Sequence, residues 1–217
     1  MKTSFLSCAL GAALAFAPGL RAADSCCSQK EPAVAAVPAC CAAPVPEAEA
    51  VPAISDRSIY QLDASWSNDA GQAVSLSAFR GRPVVVAMFF ASCTYACPIL
   101  VDDVKRLLNE LPAAARAKTQ VVLVSFDSER DTPAALHAYR ERMHLDPATW
   151  TLLHGEAPEV QELAMLLGVK FKRDARGEFS HSNLITVLDA EGEIVHQRGG
   201  LQGEVAEAAR AVSLVAR

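Results

Sequence analysis

The chain has no excess of basic residues: 20 Lys and Arg stand against 25 Asp and Glu, a formal net charge of −5. That balance leaves no electrostatic footprint for a polyanion, so no nucleic acid is expected among its partners. It also lacks a long apolar run. The nearest is residues 5–20, Ala-rich and lying between Lys2 and Arg21, which falls short of the ~20 apolar residues a membrane span needs. A positive start, an apolar middle and the small residues Ala22 and Ala23 form the pattern of a secretory signal, here residues 1–23. An uncleaved anchor is the competing reading. No leucine stands three residues before Cys26, as lipoprotein cleavage would want. Export places the mature chain in the periplasm, an oxidising compartment where disulfides persist.

Residues 24–53 lack any hydrophobic period that a core could use. Five of the chain's twelve prolines fall between positions 30 and 53, interleaved with Ala, Val and Glu, and this composition predicts an extended, disordered linker. Two adjacent cysteine pairs, Cys26-Cys27 and Cys40-Cys41, flank its first half. Neighbouring cysteines rarely bond to each other. These four are expected to form cross-pair disulfides, to join two molecules, or to serve as an auxiliary site for soft metal ions. The segment offers no framework for a tetrahedral zinc site. Residues 54–217 have the composition of one globular domain, roughly 160 residues with a sizeable core.

Residues 84–100 organise that domain. Positions 84–90 are rich in β-branched and aromatic residues and carry no charge, which predicts a strand buried on both faces. Two cysteines and a proline follow. Pro98 suits the first turn of a helix, and Ile99, Leu100, Val104, Leu107, Leu108 and Leu111 continue at helical spacing. Cys93 is therefore expected on the strand-to-helix loop and Cys97 at the helix N-terminus. The positive end of the helix dipole favours thiolate there, the form that acts as nucleophile and metal ligand. The spacing Cys-x-x-x-Cys is one residue longer than the thioredoxin Cys-x-x-Cys. On one helical face, Cα atoms four apart lie roughly 6 Å from each other, which permits a disulfide. The pair can thus close as a disulfide, clamp a soft metal, or be buried as small hydrophobes.

Further elements follow in order. Residues 60–66 and 73–76 read as an N-terminal hairpin, and 121–126 as a second buried strand. Asp131 or Thr132 can cap a helix that contains Pro133 and runs to about His144. Residues 160–167 form a helix stopped by Gly168, residues 184–188 and 193–196 a hairpin, and 205–215 a closing helix. A β-α-β half followed by a hairpin and a helix is the order of an α/β, thioredoxin-like fold with a mixed central sheet. Ligands collect at the carboxyl ends of its parallel strands. Of the five histidines, His181 stands apart, after an Arg/Gly/Glu-rich loop at 170–180 long enough to fold over the cysteines. Lys170, Lys172, Arg173 and Arg176 make that loop basic, either a solvated face or a docking patch for an acidic partner.

Three segments carry a resemblance. Ala91-Ser92-Cys93-Thr94-Tyr95-Ala96-Cys97-Pro98, then Ser125-Phe126-Asp127-Ser128-Glu129-Arg130-Asp131-Thr132-Pro133, then His181-Ser182 ahead of Val187-Leu188-Asp189 and Gly192, together resemble the Sco/SenC family of copper proteins. The resemblance runs from about Tyr60 to the C-terminus. It implies Cys93, Cys97 and His181 as copper ligands, and Asp127 as a residue that backs the ligands or meets a partner. It also implies a metallochaperone that supplies the dinuclear copper centre of cytochrome c oxidase. The expected partners are the oxidase's copper-bearing subunit, a thioredoxin-like reductant that keeps the pair open, and a further copper chaperone. Two thiolates and an imidazole suit Cu(I), and hold Cu(II) when an oxygen fills a fourth position; zinc accepts the same donors. A thiol-disulfide oxidoreductase using only Cys93 and Cys97, and a copper-responsive redox sensor, remain the alternatives.

Overall fold

Residues 84–89 carry no polar side chain, so a strand built from them has no face to give to water. The computed structural model, which describes residues 54–175 and 177–217, sets that strand, β3 (Val84–Phe89), inside a seven-stranded sheet with every residue buried. The signal expected at 1–23, the linker at 24–53 with its cysteine pairs, and Arg176 lie outside the described residues. Among the described residues no helix is long and apolar enough to cross a membrane.

The sheet is completed by β1 (Trp66–Asn68), β2 (Ala73–Val74), β4 (Gln120–Ser125), β5 (Trp150–His154), β8 (Leu184–Leu188) and β9 (Ile194–Gly199), in the order β2-β1-β5-β4-β3-β8-β9. Strands β3, β4 and β5 run parallel, whereas β1, β2, β8 and β9 are antiparallel to their neighbours. This is the mixed sheet expected from the element order. The crossovers from β3 to β4 and from β4 to β5 step in one direction. Right-handed connections therefore put helices α1 (Ala96–Glu110) and α3 (Pro133–Met143) on the same face. Lys105 Nζ of α1 donates to Met143 O at the end of α3, at 2.9 Å. The short α2 (Ala113–Lys118) lengthens the first crossover, α4 (Ala157–Leu167) follows β5, and α5 (Ala206–Val215) closes against α1, β8 and β9.

Local chemistry sets the helix ends. Thr132, not Asp131, caps α3: its hydroxyl accepts from Ala135 N at 3.3 Å, and Pro133 occupies the first turn. Gly168 ends α4 in the left-handed region, φ +72°, where a side chain would be strained. The buried face of α1 includes Leu100, Val104, Leu107 and Leu108 as its spacing predicts, and also one charge, Asp103. That carboxylate accepts from Arg106 Nη2 at 2.6 Å, Arg198 Nη1 at 2.8 Å and Gln202 N at 2.8 Å, so it ties α1 to the end of β9.

Three expectations need correcting. The N-terminal hairpin is shorter than the sequence suggests: Tyr60 lies in a 3-10 turn (Ile59–Gln61) whose Tyr60 N is capped by Ser58 Oγ at 3.1 Å, and Leu76 opens another (Leu76–Phe79). Strand β5 and helix α2 are not among the elements expected from sequence: β5 mixes polar and apolar positions and takes its strand character from pairing with β1 and β4, and α2 is under two turns long. The expected loop at 170–180 contains two strands, β6 (Phe171–Arg173) and β7 (Phe179–His181), paired as a separate two-stranded sheet.

The β1–β2 turn is fastened to α3 by an ion pair away from water. Arg140 is 6 % exposed; its Nε and Nη2 donate to the two oxygens of Asp69 at 2.5 and 2.6 Å, and its Nη1 to Leu145 O at 3.2 Å. Burial pushes the Asp69 carboxyl up, but hydrogen bonds from Arg140 and its charge, with help from a backbone N–H and His137, hold it below its usual range. Stability from such a depressed carboxyl is present above its unfolded pKa near 3.8 and is lost as pH falls through the lower folded value. Arg140→Ala should therefore cost about 3–5 kcal/mol at neutral pH, because it strands a buried carboxylate. Urea unfolding should show that deficit at pH 7 and a progressively smaller one as the pH falls below 3.8 and the stranded carboxyl takes up a proton; a pH-independent deficit would contradict the ion-pair account.

Candidate metal centre

β3 ends at Phe89, and the chain turns through a bond from Cys93 N to Phe90 O at 3.2 Å before α1 begins at Ala96. No side chain of the residue preceding α1 caps that helix. The Cys93 sulfur takes the role: Cys97 N donates to Cys93 Sγ at 3.2 Å. One thiol is thus seated on the positive end of the helix while the other points into the domain. Both are free, Cys93 half-buried and Cys97 buried.

His181 ends β7. In a strand, residues two apart share a face, so Phe179 and His181 point the same way. The imidazole lies 5.0 Å from the Phe126 ring and edge-on to Phe90 at 5.9 Å, and Phe179 packs on both phenylalanines. Its Nδ1 faces Ser182 O at 3.3 Å. A carbonyl only accepts, so this contact favours the tautomer with its proton on Nδ1, which leaves the Nε2 lone pair for an ion. That Nε2 stands 4.0 Å from Cys97 Sγ. All three donor atoms, from Cys93, Cys97 and His181, lie within 4.8 Å of one another.

An ion bonded to sulfur and imidazole at about 2.0–2.3 Å requires donors no more than roughly 4.6 Å apart. The trio therefore fits one ion after a contraction of a few tenths of an ångström. His181 is separated from the pair by 84 residues, and the fold alone brings them together.

The electrostatics differ from the sequence reading at one position. A helix N-terminus favours thiolate, yet at Cys97 burial wins. Burial pushes the Cys97 thiol well above its usual value, against a backbone hydrogen bond at Phe90, and nearby Cys93 and Asp131 push the same way. Cys93 borders an open cleft of about 400 Å³ lined by Ala91, Ser92, Thr94, Pro98, Arg142 and Met143. Tyr95, between the two cysteines, is 75 % exposed. Access is from the Cys93 side.

The loop after β4 supplies two carboxylates with different tasks. Asp127, for which a supporting or partner-contact role was expected, is 1 % exposed and pairs with Arg130. Asp131, which the sequence shows only as a candidate cap, turns inward: its Oδ2 accepts from Ala91 N at 2.7 Å and Ser125 Oγ at 2.5 Å. Burial raises its carboxyl pKa against those two hydrogen bonds. It thereby ties the start of the cysteine loop to the end of β4. The aromatic bracing by Phe171 and Phe179 also escapes sequence reading, although the pattern Phe179-Ser180-His181 is the signal that could reveal it. His137, His144, His154 and His196 are not part of the cluster.

A mixed α/β sheet with a cysteine pair opening its first helix and a histidine arriving from a hairpin defines the class: a thioredoxin-like domain with a soft, three-donor site. The chain belongs to the SCO1/SenC family, whose family model matches residues 56–216. It is 30% identical over 143 residues to a Stutzerimonas stutzeri protein described as a candidate copper-binding protein, covering 64% of this chain and 68% of that one. Among solved structures it is similar to a candidate electron transfer protein of Aquifex aeolicus, with a TM-score of 0.66 and 20% identity over 75% of this chain and 95% of the other. It is likewise similar to Bradyrhizobium japonicum ScoI with copper bound, with a TM-score of 0.56 and 24% identity over 70% and 96% of the two chains.

The two thiols differ in access, and burial raises the Cys97 thiol, so they should differ in reactivity. Alkylation of the reduced, metal-free protein with iodoacetamide at pH 8 should modify Cys93 at least about tenfold faster than Cys97. Equal rates by peptide mass mapping would contradict the burial assigned to Cys97.

Proposed function

We propose that this protein is an exported copper carrier that holds copper at Cys93, Cys97 and His181 and hands it to the dinuclear copper centre of cytochrome c oxidase. The observation that carries this reading is the convergence of two sulfurs and one imidazole nitrogen within 4.8 Å. Two thiolates with an imidazole form a soft, low-coordinate set suited to Cu(I). Three donors leave a position open for an incoming ligand, and Cys93 faces the cleft through which it would arrive. Family membership and the copper-binding description of the Stutzerimonas stutzeri relative support the same cargo. Loading needs both cysteines reduced, which calls for a thioredoxin-like reductant in an oxidising compartment. A further copper chaperone is the expected source, and Cys26, Cys27, Cys40 and Cys41 are an auxiliary capture site for the ion.

A second reading, thiol-disulfide exchange on the copper-receiving protein, is favoured by the asymmetry of the pair. An accessible Cys93 backed by a buried Cys97 is an attacking thiol with a resolving one. The two readings part at His181. His181→Ala should abolish thiolate-to-copper charge-transfer absorption of the Cu(II)-loaded protein and weaken copper by more than the ~10–100-fold that loss of an outer hydrogen-bond partner costs. In an oxidase-assembly assay both His181→Ala and Cys93→Ser should fail. Full rescue by the histidine variant alone would assign the dithiol chemistry instead.

A further inference from the structure

His181 rides on a hairpin outside the main sheet. Strands β6 and β7 have three residues each and pair only with one another. So short a hairpin is not stable by itself and has to be docked. On its inner side Phe171 and Phe179 pack on Phe126. Near its tip the contact is polar. The buried carboxylate of Asp127 grips Nε of Arg130. Nη2 of the same guanidinium donates to Gly177 O, in the turn between β6 and β7, at 3.1 Å, and its carbon lies 5.7 Å from the Phe179 ring centroid. The neighbouring pair Arg173–Glu129 is exposed, with side chains 36 % and 74 % accessible, and such pairs contribute little. The Arg130 side chain is 40 % accessible, but one end of it is fixed to the domain by the Asp127 carboxylate, which is 1 % accessible.

We propose that Arg130 is a positioning residue for the metal centre: anchored on Asp127, it seats the β6–β7 hairpin so that His181 Nε2 stays within reach of the two sulfurs. The same loop thereby serves both halves of the site, Asp131 holding the cysteine segment through Ala91 N and Arg130 holding the histidine segment through Gly177 O. This rests on the reading of Cys93, Cys97 and His181 as a metal site, but the seating of the hairpin is measurable without metal.

The test uses the full chain with Arg130→Ala and Arg130→Lys. In the metal-free Arg130→Ala protein, amides of residues 171–173 and 179–181 should exchange with solvent about tenfold faster or more, as expected for loss of a charge-assisted hydrogen bond, with β3 and β4 unchanged. Titrated with Cu(II), it should bind about 10–100-fold more weakly, with a shifted or diminished charge-transfer band. Arg130→Lys keeps a charge beside Asp127, so it folds even where the alanine variant does not. It cannot span Asp127 and Gly177 O together, so its hairpin amides should also exchange faster. Unchanged hairpin exchange and an unchanged band in both variants would overturn the proposal, and so would faster exchange spread evenly over β3 and β4. Should the wild-type protein bind no copper, the metal reading falls, and the exchange measurement alone decides whether Arg130 seats His181.

Discussion

Six consecutive side chains of β3, none more than 2 % exposed, must be kept from water on both faces of the sheet. Burying a Val, Met or Phe contributes about 1.5–3 kcal/mol each, so this strand alone dictates a covered, central position. It receives parallel β4 on one side and antiparallel β8 on the other. Helix α1 is then bound to begin at the carboxyl end of β3, and a helix that begins there delivers Cys93 and Cys97 to that edge. The location of the sulfurs is a consequence of core burial.

The histidine arrives by a different route. After β4 the chain runs through a loop in which two of three acids, Asp127 and Asp131, are buried, and this loop touches both contributors to the site. Asp131 reaches back to Ala91 and Ser125. Asp127 reaches outward through Arg130 to the hairpin that ends in His181. Phe90, Phe126, Phe171 and Phe179 fill the space between these polar ties and form the apolar wall against which the imidazole rests. A wall of that kind excludes water from one side of the donors, while the cleft at Cys93 leaves the other side open. Protection and access at once are what a site needs if its ion must be held and later released.

Much of this was legible before any coordinates. The apolar run at 84–90, the proline in the following helix, the capping pair Asp131-Thr132 ahead of Pro133 and the glycine at 168 each carry a local physical signal strong enough to place an element. Signals failed where elements are short. The three-residue strands β6 and β7 are too brief for periodicity, β5 mixes polar and apolar positions, and the strand character of all three comes from their pairing partners. Likewise, Ser58 and Ser75 cap 3-10 turns where alternation suggested strand.

The site divides along the same line. Cys93 and Cys97 stand four residues apart, so their proximity and their place at a helix start are written in the local chain, and the sequence by itself determined them. The meeting of His181 with Cys97 across 84 residues, the burial that raises the Cys97 thiol, and the opposite errands of Asp127 and Asp131 were decided only by tertiary structure. The reason is physical: spacing governs what neighbours in the chain can do, whereas desolvation and long-range contact depend on which segments the buried sheet brings to the same end.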